Sequence, residues 1–181
     1  GQEIFRRVLR LPASVEYAHE LRYADPIIGM NDLTIAISQS GETADTLAAA
    51  RLAVDSGSRM LAITNVVGST LSRYADDILY TRAGPEISVA STKAYMAMLI
   101  AQYLLALRLG AARGTVDAEL AGRVAYGLHL LPAAIEAVLE RQAPVIAAAE
   151  SIVDADDVYF IGRGLDYAIA MEGSLKLKEL S

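Results

Sequence analysis

The chain has 181 residues, a length that favours one complete domain with extra elements over two complete domains. Its formal net charge is −6 and its arginines are scattered, which argues against a nucleic-acid partner because such a surface needs a basic stripe. Cysteine is absent, which excludes disulfides and thiolate metal sites, and the two histidines, His19 and His129, show no metal-ligand spacing.

The first half of the chain alternates helix and strand patterns. Apolar residues at helical spacing between Ile4 and Leu9 predict an opening helix that ends at Pro12, and residues 13–17 are a short strand candidate. The continuous apolar run 33–37 is typical of a strand that is buried on both faces of a parallel sheet.

A polar loop, a helix over 44–56, a strand over 60–63, a turn over 65–68 and a strand over 78–80 follow. Strands separated by helical segments predict a parallel sheet with right-handed crossovers. Ligands of such sheets bind at the carboxyl ends of the strands, near a switch in strand order. The polar loops of this sequence fall at those strand ends.

The second half is helical before a strand pattern returns. Helices are predicted over 91–109, 117–139 and 142–153, followed by a strand over 157–161 and a helix over 166–180. Pro132 is expected to kink or break the second of these helices. The apolar stretch 95–109 is interrupted by Gln102 and is short for a bilayer, so we expect a buried helix and no membrane partner.

Both ends of the chain lack the signals of a complete protein. The charged start differs from a signal peptide, and a cytoplasmic location is therefore expected. The last helix has no Gly, Asn or Pro stop signal, and one strand with one helix cannot form a domain. We therefore expect the chain to be a fragment of a longer protein.

The first predicted buried strand is joined to its helix by the loop Ser38-Gln39-Ser40-Gly41-Glu42-Thr43. Ser38, Ser40 and Thr43 offer hydroxyls, and Gly41 allows the backbone to approach a ligand closely. The unpaired N–H groups and the positive dipole end of the helix suit a phosphate dianion. Ser and Thr are also common N-caps, but three hydroxyls with Gln39 and Gly41 favour phosphate binding over capping alone. A Walker A loop is excluded because the Gly-Lys-Ser/Thr ending is missing.

A second strand-to-helix loop, over 84–93, ends with Ser91 or Thr92 as a candidate N-cap and with Lys93 in the first helical turn. A lysine there opposes the helix dipole, which is tolerable if the lysine meets a ligand anion or a carboxylate. A solvated lysine explains the pattern equally well.

The last predicted helix carries Glu172, Lys176 and Glu179, whose spacings of four and three residues place them on one face. A carboxylate beside a lysine can serve as general base for moving a proton between adjacent sugar carbons. On spacing alone, a solvated helix face is the favoured interpretation. The preceding segment 162–164 does not predict a dinucleotide site, because Tyr167 stands where the third glycine is required.

Several segments together resemble the isomerase part of the glucosamine-6-phosphate synthases (glutamine–fructose-6-phosphate aminotransferases), which is built from two sugar isomerase (SIS) domains. The residues that carry the resemblance are 38–47, Gly84-Pro85-Glu86 with 89–94, Gly162-Arg163-Gly164 and 172–179. Glu16, Glu20, Leu21, Arg22 and Tyr23 also look like the segment that precedes the family's first ligand loop. The likeness runs in the family's order from about Pro12 to the end of the chain.

The resemblance implies roles for individual residues. The implied ligands of the phosphate of fructose 6-phosphate or glucosamine 6-phosphate are Ser38, Gln39, Ser40 and Thr43. Val89 and Ser91 would line the sugar. Glu179 would be the catalytic base that shuttles a proton between C1 and C2 through an enolamine, with Lys176 beside it. The favoured interpretation of the last helix thus changes from a solvated face to a catalytic one, and only the resemblance changes it.

The resemblance also implies the architecture. We expect a three-layer αβα fold with a flavodoxin-like parallel sheet over 1–112, a helical connector over 113–151 and the start of a second SIS domain over 152–181. The family would use no metal and no organic cofactor. A glutaminase domain in the parent chain and a homodimer would be the partners.

Departures from the family leave alternatives open. The family's Ser/Thr-rich loop before the opening helix, its ring-opening histidine and its Schiff-base lysine all fall outside this sequence, so the chain alone is expected to be catalytically incomplete. A glucosamine-6-phosphate deaminase, which needs no glutaminase domain, is one alternative. A non-catalytic sugar-phosphate sensor is another, and it would have no use for Glu179.

Overall fold

A computed structural model describes residues 1–180, which fall into two compact units, one over residues 1–109 and one from residue 110 onward. The first unit contains α1 (Gln2–Ile4), a π-helical turn (Phe5–Leu9), α2 (Ala18–Leu21), β1 (Leu33–Ser38), α3 (Ala44–Asp55), β2 (Arg59–Thr64), α4 (Thr70–Tyr74) and β3 (Asp77–Tyr80). The long helix α5 (Lys93–Arg113) runs across the boundary between the units. The second unit also contains α6 (Ala118–Glu140), α7 (Gln142–Ile152) and α8 (Leu165–Leu180).

The three strands form one parallel sheet in the order β1-β2-β3, which confirms the predicted strand–helix–strand pattern. The register pairs Ser38 with Thr64 and Thr64 with Tyr80, so the last residues of the three strands form one row at the carboxyl edge. Strand order follows chain order throughout residues 1–180, and the expected switch in strand order does not occur there.

Two hydrophobic clusters cover opposite faces of the sheet. On one face Ile35 and Leu61 pack against a cluster from α1, the π-helical turn and α5, formed by Ile4, Phe5, Leu9, Leu105 and Ala106. On the other face the buried cluster combines strand and helix residues, namely Ala50, Met60, Ala62 and Leu71. Successive residues of a strand point to opposite faces, which explains why 35 and 61 join one cluster while 60 and 62 join the other. The predicted three-layer αβα fold is therefore confirmed.

Two predicted strands are wrong. Residues 13–17 and 157–161 form no strand, although their sequences carry the apolar and β-branched residues of one. Tyr159 is 83% exposed and Ile161 is 91% exposed. A strand needs a hydrogen-bonding neighbour and an apolar face to cover, and neither segment pairs with β1, β2 or β3.

Pro132 is expected from the sequence to kink or break its helix, and a break does not occur, because α6 continues through this residue. Proline lacks the N–H that would bond to the carbonyl four residues earlier, so α6 forgoes one backbone hydrogen bond at this point. Asp117 caps the helix, and its Oδ1 accepts a hydrogen bond of 2.7 Å from Leu120 N.

Helix α5 is long and apolar enough to cross a bilayer by length and composition, with a window of mean hydropathy 1.4. Core helices of globular proteins pass the same test. Leu105 and Ala106 of α5 are buried against Ile4, Phe5 and Leu9. In this structure that face of α5 is therefore part of the protein core.

Candidate functional site

The carboxyl edge of the sheet is where the predicted ligand loop begins. Ser38 ends β1 and is 7% exposed, and its neighbour across the sheet, Thr64, is fully buried. The loop 38–43, here called the hydroxyl loop, leads from this edge into the twelve-residue helix α3. The predicted phosphate residues Ser38, Gln39, Ser40 and Thr43 therefore lie together between a strand end and a helix start.

Hydrogen bonds inside the hydroxyl loop leave hydroxyl protons available. Gly41 N donates to Ser38 Oγ at 3.1 Å, and Glu42 N donates to Ser40 Oγ at 3.2 Å. A third contact joins Ser38 Oγ and Thr43 Oγ1 at 3.4 Å. A hydroxyl has one donor proton and two acceptor positions, so accepting an N–H does not consume its proton. One hydroxyl proton lies in the hydrogen bond between Ser38 and Thr43, so Ser40 and one of these two residues can still donate a hydrogen bond to an anion.

The start of α3 has the features of an anion site. Thr43 is the N-cap residue, with φ −63° and ψ 120°, and its side chain makes no capping hydrogen bond to the helix. The capping role that threonine usually plays is thus not observed here. The first N–H groups of a helix carry partial positive charge and are unpaired within the helix. The loop and the helix start together present donors to the same edge.

Gly41 fits the loop against the rest of the fold. Its φ is +65°, and a Cβ at this position would lie 2.3 Å from Ser69 Oγ and 3.0 Å from Thr64 Oγ1. The sequence predicts that this glycine lets a ligand approach the backbone. The close approach in the structure is to Ser69, which is 2% exposed.

The second predicted loop is held by Glu86. The Glu86 carboxylate accepts hydrogen bonds from Thr92 N at 3.0 Å, Thr92 Oγ1 at 2.9 Å and Ala94 N at 3.1 Å. The backbone N–H groups of Ala94 and Thr92 lower the pKa of Glu86, and nearby Lys93 adds to this effect. Lys93 thus lies near a carboxylate, which is one of the two surroundings expected for it.

The predicted sugar-lining residues behave differently from each other. Val89 is 96% exposed. Ser91 Oγ is buried and has no hydrogen-bond partner among residues 1–180, so Ser91 does not act as the N-cap that its position suggested. A buried hydroxyl without a partner is costly unless a ligand or water satisfies it.

Asn65 ties the two loops to one edge of the sheet. Its backbone N donates to Gln39 O at 3.0 Å, and its Nδ2 donates to Gly84 O at 2.7 Å. Its Oδ1 accepts from Ala83 N at 2.8 Å and from Thr81 Oγ1 at 2.9 Å. The sequence predicts only a turn at Asn65, although a side-chain amide at a strand's carboxyl end is a recognisable signal of such a bridge.

The predicted proton-transfer residues form an ion-paired group on α8, in the second unit. Lys176 Nζ lies 2.6 Å from Glu179 Oε2 and 3.7 Å from Glu172 Oε1. The hydrogen bond that Lys176 donates to Glu179 raises the pKa of Lys176, with Glu172 contributing in the same direction. The described part of the chain contains no group of three or more His, Asp or Glu that could hold a metal ion.

The chain matches the SIS domain family over residues 1–108, which is more than half of its length. The chain belongs to the SIS domain family. The match covers β1, β2, β3 and most of α5, so both ligand loops lie in the matched SIS domain.

Similar proteins extend beyond this SIS domain. The glutamine–fructose-6-phosphate aminotransferase [isomerizing] of Caldanaerobacter subterraneus subsp. tengcongensis is 50% identical over all 181 residues, and the chain spans about 30% of that relative's length. The C-terminal domain of glucosamine-fructose-6-phosphate aminotransferase from Francisella tularensis is 35% identical, with a TM-score of 0.94, over 99% of this chain and 51% of that one. Glucosamine-6-phosphate deaminase from Thermotoga maritima is 23% identical, with a TM-score of 0.58, over 69% of this chain and 38% of that one, a likeness of fold alone.

Proposed function

We propose that the chain is the isomerase portion of a glutamine–fructose-6-phosphate aminotransferase and that its hydroxyl loop binds the phosphate of fructose 6-phosphate. One observation carries the choice of reaction: the 50% identity to such an enzyme runs over the whole chain and includes both loops and α8. Because the chain spans about 30% of that relative, the complete reaction belongs to a longer protein.

The geometry supports phosphate binding in the hydroxyl loop. Ser40 donates its proton to the anion, Ser38 or Thr43 donates a second, and the N–H groups at the start of α3 face the same charge. Gln39 belongs to the same loop and adds a side-chain amide to its set of donors. Hydrogen bonds to a charged partner are stronger than neutral ones, so two hydroxyls suffice for a substantial part of the affinity.

The sugar lies beside the second loop in this proposal. Ser91 Oγ, buried and unpartnered within the described chain, bonds a hydroxyl of the sugar, and exposed Val89 packs against the carbon skeleton. Binding thus satisfies a polar atom that is otherwise left without a partner.

Glu179 is the proposed base of the isomerisation. Ammonia from glutamine replaces the C2 oxygen of fructose 6-phosphate, which leaves as water. Glu179 then takes a proton from C1 while the imine nitrogen gains one, giving an enolamine. Return of the proton to C2, with loss of the proton on O1, gives the aldehyde form of glucosamine 6-phosphate. Lys176 Nζ, 2.6 Å from Glu179 Oε2, orients the carboxylate. This step uses no metal and no organic cofactor.

The proposed organisation of the parent protein follows the same family. Residues 1–112 form the first SIS domain, 113–151 a connector, and 152–181 the start of a second SIS domain. A glutaminase domain in the parent supplies ammonia, and the protein works as a cytoplasmic homodimer.

The test is a calorimetric titration of the chain with fructose 6-phosphate, beside a Ser38→Ala, Thr43→Ala double variant. A Thr115→Ala, Ser151→Ala double variant is the matched control, because each of these hydroxyls makes a local hydrogen bond in the second unit. We expect the first double variant to bind at least about tenfold more weakly, since a hydrogen bond to a charged group contributes roughly 1.5–3 kcal/mol. Equal affinity of all three proteins would refute the assignment of the hydroxyl loop.

The alternatives differ in their need for Glu179. In the full-length parent protein, Glu179→Gln should abolish formation of glucosamine 6-phosphate while leaving fructose 6-phosphate binding intact. A parent that releases ammonia from glucosamine 6-phosphate and does not use glutamine is a deaminase. A protein whose function survives Glu179→Gln is a sensor.

A further inference from the structure

The hydroxyl loop is supported by the segment that leads from β2 into α4, residues 64–71, here called the support segment. Gln39 O accepts hydrogen bonds from Asn65 N at 3.0 Å and from Thr64 Oγ1 at 3.3 Å. Gly41 O accepts from Leu71 N at 3.0 Å. These bonds fix the loop from one side, and the absence of a Cβ at position 41 lets the two segments approach closely.

Glu42 is the one charged side chain of the hydroxyl loop, and its sign is wrong for a phosphate site. A carboxylate beside a phosphate dianion repels it, so charge alone would select a neutral or basic residue at this position. The side chain of Glu42 has a different contact. Its Oε1 accepts a hydrogen bond of 2.7 Å from Thr70 N, the first residue of α4.

Two bonds of Glu42 connect the support segment to a ligand hydroxyl. The side chain accepts from Thr70 N, and the backbone N of the same residue donates to Ser40 Oγ at 3.2 Å. The Thr70 backbone N–H and hydroxyl lower the pKa of Glu42, with a further contribution from Arg73, so the carboxylate is charged at neutral pH. Displacing Glu42 therefore displaces the backbone N–H that bonds to Ser40 Oγ and orients this hydroxyl.

We propose that Glu42 is a positioning residue for the phosphate site. Its side chain anchors the hydroxyl loop to α4 and thereby sets the orientation of Ser40, without touching the ligand. This inference rests on the proposed phosphate site in the hydroxyl loop.

The test compares the dissociation constants of fructose 6-phosphate for the unchanged chain, Glu42→Ala and Glu42→Gln. Glu119→Ala is the matched control, because Glu119 is also an exposed glutamate with one partner, Arg123, at 2.8 Å on α6. If Glu42 acted only through its charge, both neutral variants would bind the dianion more tightly. A positioning role predicts about threefold to tenfold weaker binding by Glu42→Ala, which is less than the loss of a direct bond to the ligand, because the ligand's own contacts remain and only their geometry is disturbed.

Glu42→Gln separates the two effects, because the amide oxygen still accepts from Thr70 N while the charge is lost. We expect this variant to bind within twofold of the unchanged chain or more tightly, and Glu119→Ala to bind normally. Tighter or equal binding by Glu42→Ala would overturn the proposal, as would equal weakening by both variants. If Glu42→Ala does not fold by circular dichroism, Glu42→Asp replaces it, because the aspartate keeps the charge but its shorter side chain reaches less far towards Thr70 N. Weaker binding by Glu42→Asp supports the positioning role, and unchanged binding overturns it.

Failure of the proposed function gives a different pattern. In that case the Ser38→Ala, Thr43→Ala variant binds as the unchanged chain does, or nothing binds, and the role of Glu42 falls with the site. If that double variant loses binding while Glu42→Ala keeps it, only the positioning role is refuted.

Discussion

Replacement of Gly41 by alanine tests the contact between the hydroxyl loop and the support segment. The new Cβ would lie 2.3 Å from Ser69 Oγ and 2.7 Å from Ser69 Cβ, closer than carbon atoms approach in folded proteins. Ser69 is 2% exposed and Thr64 is fully buried, so neither can move into solvent. The alanine must therefore shift the loop or the support segment.

Two costs add in this variant. A non-glycine residue at φ +65° costs about 1–2 kcal/mol, because its Cβ meets the following carbonyl oxygen. Overpacking a filled interior costs about 1–3 kcal/mol more. We expect Gly41→Ala to lower the free energy of unfolding by about 3 kcal/mol in urea denaturation followed by circular dichroism.

Gly68→Ala is the matched control for this prediction. Gly68 has φ +76° and nothing within 4 Å of the position of a Cβ, so it incurs the conformational cost alone, about 1–2 kcal/mol. Adding Ser69→Gly to Gly41→Ala should recover part of the lost stability by removing the contact. Equal destabilisation by Gly41→Ala and Gly68→Ala would show that the contact with Ser69 is not tight, and would refute the argument.

Three further outcomes follow from the hydrogen bonds of the site. Asn65→Ala removes three side-chain hydrogen bonds and should lower the free energy of unfolding by about 2–3 kcal/mol in the same urea assay, whereas an unchanged midpoint would contradict the bridging role. The lowered pKa of Glu86 means that its ionised carboxylate stabilises the fold. This stabilisation is fully present above the unfolded pKa of about 4.3 and is lost as the pH falls through the lower folded pKa. The difference in urea midpoint between the unchanged chain and Glu86→Gln should therefore shrink on acidification. The raised pKa of Lys176 means that its charged ammonium stabilises the fold. This stabilisation is fully present below the unfolded pKa of 10.5 and is lost as the pH rises through the higher folded pKa. The difference in urea midpoint between the unchanged chain and Lys176→Gln should therefore shrink in strong alkali. A difference that stays constant with pH would contradict either ionic account.

The parallel sheet and its helices could be predicted because each local pattern agrees with the tertiary packing. The apolar run that predicted β1 lies between two helical layers, and the helix pattern after it became α3. Patterns without a tertiary partner gave wrong predictions. Residues 13–17 and 157–161 have strand-like composition, yet a strand is defined by pairing, which composition does not encode.

The hydroxyl loop could be located from residue types, but its internal bonding could not. Three hydroxyls after a buried strand indicated an anion site, and the structure brings them together. The role of Asn65 depends on a side-chain hydrogen bond to Gly84, 19 residues further along the chain. The role of Glu86 depends on a hydrogen bond from Ala94, 8 residues further along. Such contacts are set by the sheet register and the path of the loops, which a linear spacing rule does not contain.

The two ligand loops share one construction, in which a glutamate holds the start of a helix. Glu42 binds the first N–H of α4, and Glu86 binds the N–H groups at the start of α5. A carboxylate at a helix N-terminus is stabilising because it meets unpaired N–H groups and the positive dipole end. Each glutamate occupies N–H groups at the start of its helix, α4 or α5, and these N–H groups are therefore not free to bind a second anion at this edge of the sheet. The start of α3, where Thr43 provides no side-chain cap, is the helix N-terminus at which we propose that the phosphate binds.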